Sequence, residues 1–173
     1  LEAPLSNPPG PADLLPTLDV QITPEISAKV AELGSSPIRI YEFVRNAVRF
    51  QAYLGSRKGS AFTLQQLAGN DTDQASLLIA MLRAAGIPSR YVRGTVELTP
   101  EQAMAWTGLD EPRTAASLLT TAGLDGLAIV NGPDVVAVRC TRVWVEAWVP
   151  YSNYRGVPND DTGKGWVPLD PAF

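Results

Sequence analysis

The first third of the chain carries two amphipathic patterns, and each begins with a helix start signal. Residues 23–25 read Thr-Pro-Glu, which is an N-cap, a proline at the first helical position and an early acid, and they predict a helix to about Leu33. Residues 36–37 repeat this signal as Ser-Pro. Apolar residues then recur at helical spacing, which predicts a second helix with one buried stripe: Ile40, Phe43, Val44 and Ala47.

Residues 73–85 are almost wholly apolar and predict a helix that is buried on most sides. Cap residues precede it at positions 69–72, and a Gly-Ile-Pro sequence closes it at positions 86–88. The apolar side chains surround the helix axis instead of marking one stripe: Ala75, Leu77, Leu78, Ile79, Ala80, Met81, Leu82 and Ala84. We therefore expect this helix at the centre of the core.

Strand patterns dominate the second half of the chain. Residues 90–98 predict one strand, and residues 127–149 predict a hairpin around a turn at residues 131–134. A last strand is expected at residues 166–169, after a loop rich in Gly, Asn, Asp and Ser at residues 151–165. Helices first and antiparallel strands afterwards predict the α+β class, with the central helix packed on an antiparallel sheet.

The domain organisation follows from these elements. Residues 1–22 are expected to be a linker or a segment draped over the surface, because five prolines lie among the first sixteen residues. Residues 23–173 are expected to form one domain with a helical insertion at about residues 99–123, made of helices at 100–106 and 113–121. The chain begins with leucine instead of methionine and ends abruptly, so we expect it to be part of a longer protein.

Composition narrows the possible partners. The 173 residues include 14 basic and 18 acidic side chains, a formal charge of -4, and 45% hydrophobic residues, as in one soluble globular domain. The acidic balance argues against a nucleic-acid partner, since phosphate binding relies on excess lysine and arginine. No apolar run approaches the roughly 20 residues that a membrane-spanning helix needs, so we expect no membrane span.

Histidine is absent from the chain, and cysteine occurs once, as Cys140. Without imidazole, neither a Ser-His-Asp nor a Cys-His site can be assembled within this chain, and the commonest transition-metal ligand is missing. A single cysteine excludes an intramolecular disulfide and two-cysteine zinc or redox motifs. We therefore expect no bound metal and no cofactor.

Three stretches carry motifs that occur in this order in one family. Residues 69–94 read GNDTDQASLLIAMLRAAGIPSRYVRG, residues 142–148 read RVWVEAW and residues 165–171 read GWVPLDP. Together they resemble the transglutaminase-like superfamily. This resemblance implies a papain-related fold in which a cysteine opens a central helix, and a histidine and an aspartate come from adjacent strands.

The resemblance also assigns positions to the family's catalytic triad. Against the family pattern of Cys, one residue, an acid, one residue and Ala, the acid is Asp73 and Asp71 falls where the cysteine belongs. Arg142 takes the place of the histidine, and Asp170 matches the family's aspartate. The insertion and the strand around Trp144 further resemble transglutaminase-like domains embedded in bacterial Rhs or YD-repeat surface and toxin proteins, which implies a secreted or surface location.

The replacements change the chemistry that this triad can perform. A carboxylate is a poor acyl nucleophile because its adduct would be a mixed anhydride, and a guanidinium cannot act as a general base. We therefore predict no functional catalytic residue, and we expect Asp71, Arg142 and Asp170 to converge as an ion pair. The alternative interpretation is that Asp71 is only a helix cap and Arg142 only a solvated strand residue.

Other residues are candidates for a site. Cys140 lies on the same strand face as Arg142 and is either a relocated nucleophile or, as we favour, a small buried hydrophobe. Three tryptophans are candidates for lining a binding groove, although packing explains them equally well: Trp144, Trp148 and Trp166. Six acids suggest calcium only weakly, because their spacing matches no EF-hand loop: Asp71, Asp73, Glu146, Asp160, Asp161 and Asp170.

The leading hypothesis is a catalytically inactive transglutaminase-like domain that serves as a structural or interaction module in a larger secreted or surface bacterial protein. Its expected partners are other domains of that protein or a protein or peptide ligand. Two alternatives stay open: an active acyl-transfer enzyme, transglutaminase or cysteine-protease-like, with an unusual site, and a peptide- or glycan-binding module. The missing histidine argues against the enzyme.

Overall fold

A computed structural model describes residues 7–150 and 163–172 of the chain. Its helices are α1 (Pro24–Glu32), α2 (Pro37–Ala47), α3 (Gly59–Gln66), α4 (Asp71–Ala84), α5 (Pro100–Thr107) and α6 (Pro112–Thr121). Its strands are β1 (Arg49–Phe50), β2 (Ala68–Gly69), β3 (Ser89–Leu98), β4 (Leu127–Asn131), β5 (Asp134–Pro150) and β6 (Lys164–Leu169). The α+β class is confirmed.

The main sheet is antiparallel and is built around the long strand β5. Strand β3 pairs with β5 from Val138 to Ala147. Strand β4 pairs with the beginning of β5, and β6 pairs with its end. Some residues of β5 pair with both β3 and β4, and others pair with both β3 and β6. Strands β4 and β6 therefore both lie along the edge of β5 that is opposite β3. Between them, at residues 140–144, this edge of β5 has no partner among the described strands.

Helix α4 is the centre of the core, as the sequence predicts. The side chain of Asn70 caps it by accepting a hydrogen bond from the N–H of Asp73 at 2.9 Å, and the chain leaves the helix through Gly86 at a φ of +74°. Every residue from Ala75 to Leu82 is buried. The helix packs against β5 through a cluster that includes Val145 and Ala147, both fully buried.

The predicted helical insertion forms a second apolar cluster. Helices α5 and α6 bring Trp106 and Leu119 against the first half of β5, where Val138 and Cys140 are buried. The insertion therefore covers the part of the sheet that α4 does not reach.

Two local elements are defined by contacts that the sequence pattern does not contain. The pattern at residues 48–53 is compatible with either an extended or an irregular segment, and the structure has β1 there, paired in parallel with β2. Two-residue strands are too short to show an alternating pattern. The sequence pattern at residues 63–67 suggests only a short helical turn. Helix α3 begins earlier, at Gly59, because the Asp73 carboxylate accepts a hydrogen bond from the Gly59 N–H at 2.9 Å.

Residues 1–22 are expected from the sequence to be a linker or a segment draped over the surface, and the part that the structure describes is attached to the domain. Val20 is fully buried in the core around α4. The carbonyl of Asp19 accepts a hydrogen bond from the N–H of Ser60 at 2.8 Å, and the N–H of Gln21 donates to the hydroxyl of Ser60 at 2.8 Å. Most of the loop expected at residues 151–165 lies outside the described residues. Of the helices described, none is long and apolar enough to cross a membrane.

Candidate functional site

Asp71 is the first residue of α4 and is 2% exposed. Its Oδ2 accepts a hydrogen bond from the N–H of Val143 at 2.7 Å, and its Oδ1 accepts one from the N–H of Thr72 at 2.8 Å. Val143 lies on the edge of β5 between β4 and β6, so the carboxylate takes the place of a missing strand partner. Asp71 is thus not the helix cap, a position that Asn70 occupies, and it joins α4 to the sheet.

Arg142 is 1% exposed, and its Nη2 lies 2.6 Å from the Oδ1 of Asp170. The guanidinium also stacks over the indole ring of Trp106, 4.5 Å from the ring centroid. The interpretation of Arg142 as a solvated strand residue is therefore wrong. The expected ion pair within about 4 Å is present, and its partner is Asp170.

Asp170 follows directly after β6, and hydrogen bonds other than the ion pair also fix its position. Its Oδ1 also accepts a hydrogen bond from the N–H of Ala172 at 3.0 Å, and its backbone carbonyl accepts one from the hydroxyl of Tyr41 at 2.9 Å. The side chain keeps 31% exposure. The ion pair therefore has one buried member and one that is partly hydrated.

Burial raises the pKa of Asp71 above its ordinary value of 3.8, while the N–H groups of Val143 and Thr72 and the charge of Arg142 oppose this rise. Arg142 thus acts on both acids, through an ion pair with Asp170 and through its charge on Asp71. The structure thus joins Arg142 and Asp170 directly, and it brings Asp71 within the influence of the Arg142 charge.

The raised pKa gives a testable pH dependence. Because the folded protein binds the Asp71 proton more tightly than the unfolded chain, the stability from this group is full below pH 3.8 and is lost as the pH rises through the folded-state pKa. We expect the free energy of unfolding of the wild type, minus that of Asp71→Asn, to decrease from about pH 3 to about pH 7, as measured by urea unfolding.

Glu111→Gln is the matched control for this measurement. Hydrogen bonds from Thr114 and Arg113 lower the pKa of Glu111, so its stabilisation is lost as the pH falls, which is the opposite sign. A difference for Asp71→Asn that rises with pH, or stays flat, would contradict the assignment.

Asp73 is fully buried and accepts more hydrogen bonds than the sequence indicated. The hydroxyl of Tyr53 donates to its Oδ2 at 2.5 Å, and that of Ser56 donates to its Oδ1 at 3.1 Å. Three consecutive backbone N–H groups also donate to it, those of residues 57–59. Asp73 therefore fixes the loop that precedes α3. The family motif marks this acid, but no local pattern reveals donors that lie 14 to 20 residues earlier.

A pocket of about 190 Å³ adjoins Asp71. Leu54 and Leu124 line it on the apolar side, and Arg93, Thr141 and Arg142 contribute polar groups. Leu54 belongs to the loop that Asp73 anchors. Asp71 and Arg142 both line this pocket.

The three candidate groove tryptophans lie elsewhere among the described residues. Trp148 and Trp166 are 6% and 9% exposed and pack edge to face with centroids 5.3 Å apart. Trp144 packs against Gly94, where an added Cβ would lie 2.8 Å from the indole ring. None of the three lines the pocket at Asp71. The rings of all three make packing contacts, and the indole N–H of Trp166 also donates a hydrogen bond to the carbonyl of Asn7.

Cys140 is 1% exposed and belongs to the apolar cluster of the helical insertion. Burial raises the pKa of its thiol to about 11, so the thiolate is scarce at neutral pH. The preferred interpretation, a small buried hydrophobe, agrees with this environment.

The suggestion of calcium finds no cluster in the structure. Within residues 7–150 and 163–172, no group of three or more acids, histidines or cysteines is placed to hold a metal ion. Two of the six candidate acids, Asp160 and Asp161, lie outside the described residues.

Comparisons with known proteins place this fold in a family. No protein with a curated function matches the sequence significantly. A candidate cysteine protease from Cytophaga hutchinsonii has a similar structure, with 21% identity and a TM-score of 0.51 over 93% of this chain and 41% of the other. The periplasmic domain of TgpA from Pseudomonas aeruginosa bound to ethylmercury is also similar, with 18% identity and a TM-score of 0.50 over 92% and 46%.

Both similarities concern the fold, and this chain spans less than half the length of either protein. The sequence itself matches the family model of the transglutaminase-like superfamily over residues 20–171. That range contains every element from α1 to β6, and the chain therefore belongs to the transglutaminase-like superfamily.

Proposed function

We propose that this chain is a catalytically inactive transglutaminase-like domain, a pseudoenzyme that serves as a structural or interaction module of a larger secreted or surface bacterial protein. The observation that carries the proposal is the environment of Arg142. A buried guanidinium lies 2.6 Å from Asp170, and the motif resemblance assigns its residue to the position of the family's histidine.

Acyl transfer needs a thiolate to attack the carbonyl and a base to move protons. A guanidinium stays protonated at physiological pH and cannot accept a proton. The carboxylate of Asp71 is engaged by two N–H groups, and the chain has no histidine that could replace Arg142. These facts support a structural role for the three positions, in which they attach α4 and the end of β6 to β5.

Two alternatives remain as competing proposals. An active enzyme with an unusual site would need a nucleophile other than the buried Cys140. A peptide- or glycan-binding module is favoured by the 190 Å³ pocket at Asp71, which combines apolar walls with polar groups. The similarity to a periplasmic domain is compatible with the proposed location outside the cytoplasm.

The test is an amine-incorporation assay with the full chain, a glutamine-containing protein substrate and a fluorescent primary amine. We expect no incorporation above that of heat-unfolded protein, because thiolate and base are both missing. Incorporation that disappears in Cys140→Ala would overturn the proposal by requiring a catalytic thiol. Incorporation that persists in Cys140→Ala but disappears in Asp71→Asn would establish the unusual active site instead.

A further inference from the structure

Residues 7–16, which we call the N-terminal strap, are held by two side chains from distant parts of the domain. The indole Nε1–H of Trp166 donates a hydrogen bond to the carbonyl of Asn7 at 2.8 Å. The guanidinium of Arg83 donates through Nη1 to the carbonyl of Leu15. The domain therefore contacts the strap through its backbone carbonyls, near both of its ends.

Both of these carbonyls belong to residues that precede a proline. Asn7 is followed by Pro8, and Leu15 is followed by Pro16. Proline has a carbonyl but no N–H, so a proline-containing segment offers its partner mainly acceptors. The residue before a proline is also biased toward extended backbone, which does not use its carbonyl in a helical hydrogen bond. A site with two fixed hydrogen-bond donors is therefore complementary to such a segment.

Each donor is held in place independently of the strap. Arg83 is 9% exposed and donates to the carbonyl of Ser89 through Nη2 at 2.7 Å. The Trp166 ring packs edge to face with Trp148, and the guanidinium of Arg90 lies over it, 4.0 Å from its centroid. A site whose donors are already fixed loses little conformational entropy when a segment binds.

The two donors also lie at the same end of the sheet. Ser89 pairs with Ala147 on β5, and Ala147 pairs with Val167 on β6. The adjacent pair along β5 and β6 is Trp148 with Trp166. One segment that passes around this end of the sheet can therefore reach both donors.

The strap itself has few other attachments among the described contacts. Leu14 and Leu15 are 40% and 57% exposed. Between the two held carbonyls the chain makes a single 3-10 turn at Pro11–Asp13, closed by a hydrogen bond from the N–H of Gly10 to the Asp13 carboxylate at 2.8 Å. A segment with exposed apolar side chains and few long-range bonds opens more readily than the core.

We propose that Trp166 and Arg83 form a recognition site for proline-containing segments, which binds a pair of carbonyls that each precede a proline. In this chain the N-terminal strap occupies the site, and a proline-containing segment of a partner protein binds there when the strap detaches. This inference uses neither Asp71 nor Arg142, so its failure would leave the proposed function standing.

The test uses the full chain with a weakened strap, Pro8→Gly/Pro16→Gly, and a fluorescent peptide of residues 5–18 as the probe. The attached strap competes at a high effective concentration, and glycine increases the freedom of the detached strap. We expect the peptide to bind the double variant about ten-fold more tightly than it binds the wild type, as measured by fluorescence anisotropy. Equal affinity for the two proteins, or no binding to either, would overturn the proposal.

Specificity for the carbonyls is tested on both sides of the contact. In the weakened-strap background, Trp166→Phe removes the indole N–H and should reduce peptide affinity about five-fold, since it removes one hydrogen bond. The matched variant Trp144→Phe should leave the affinity within about two-fold. A control peptide has the same composition, but the two prolines at positions 8 and 16 are moved to other positions. This control requires no change in the protein, and the peptide should bind at least about ten-fold more weakly. Equal binding of this peptide would contradict the proposal.

Discussion

Arg142→Ala should lower the free energy of unfolding by about 3 kcal/mol. Removing one member of a buried ion pair typically costs 3–5 kcal/mol, because the remaining charge loses its partner. The lower end applies here because Asp170 keeps 31% exposure and can be partly rehydrated. The variant also loses the stacking of the guanidinium on Trp106. Urea unfolding at neutral pH measures the change.

A matched control lies on the same strand. Arg139 pairs with Glu97 at 2.6 Å, but the two side chains are 49% and 53% exposed, so Arg139→Ala should cost under about 1 kcal/mol. A cycle of Arg142→Ala with Asp170→Ala should show a coupling energy of about 1–3 kcal/mol. A coupling indistinguishable from zero would show that the ion pair contributes nothing to stability.

The sequence predicted the elements whose pattern is contained within the element itself. Residues 73–85 are apolar around the whole axis, so the central position of α4 followed from their composition. The hairpin of β4 and β5 followed from two strand-like runs around Gly132, which adopts a φ of +61° in the turn. The cap residues Thr23 and Ser36 accept backbone N–H hydrogen bonds as predicted.

Several features that depend on contacts distant along the chain were not predicted from the sequence. Helix α3 begins where Asp73 accepts the Gly59 N–H, and this pairing joins residues 14 apart. The acceptor role of Asp71 depends on a gap in the sheet around Val143. The gap exists because β4 pairs with β5 only as far as Arg139, and β6 pairs with β5 only from Val145 onward. The motif order placed Asp71 and Arg142 near each other, but only the pairing of the strands determines which N–H needs an acceptor.

Asp73→Ala is expected to have the largest effect on stability, a loss of about 4 kcal/mol. The variant leaves the Tyr53 hydroxyl and three backbone N–H groups without their acceptor. The Ser56 hydroxyl keeps an acceptor, because it also donates to the Oδ1 of Asp19 at 2.9 Å. Each donor that stays buried without a partner costs about 1–3 kcal/mol, and water will satisfy those at the exposed part of the loop. Asp73→Asn keeps one acceptor oxygen and should lose less stability. Urea unfolding of the three proteins gives the order.

The matched control for Asp73→Ala is Glu111→Ala. The Glu111 carboxylate also accepts hydrogen bonds from successive residues, Arg113 and Thr114, but it is exposed and its donors can bind water after the substitution. Its loss of stability should therefore be clearly smaller. Equal losses for the two variants would mean that the burial of the Asp73 hydrogen bonds adds nothing to the effect.

Proteolysis distinguishes a local role of Asp73 from a general one. The loop that it anchors contains Arg57 and Lys58, whose N–H groups lie 3.2–3.3 Å from the carboxylate and whose side chains are substrates for trypsin. Without the anchor, this loop should open at a low free-energy cost while the core stays folded. Under native conditions we expect trypsin to cleave Asp73→Ala after Arg57 or Lys58 much faster than it cleaves the wild type, with little change at Arg139. Unchanged cleavage of the loop, together with a loss of stability under about 1 kcal/mol, would show that other contacts hold it, and the acid at this position would then have no structural role in the wall of the pocket.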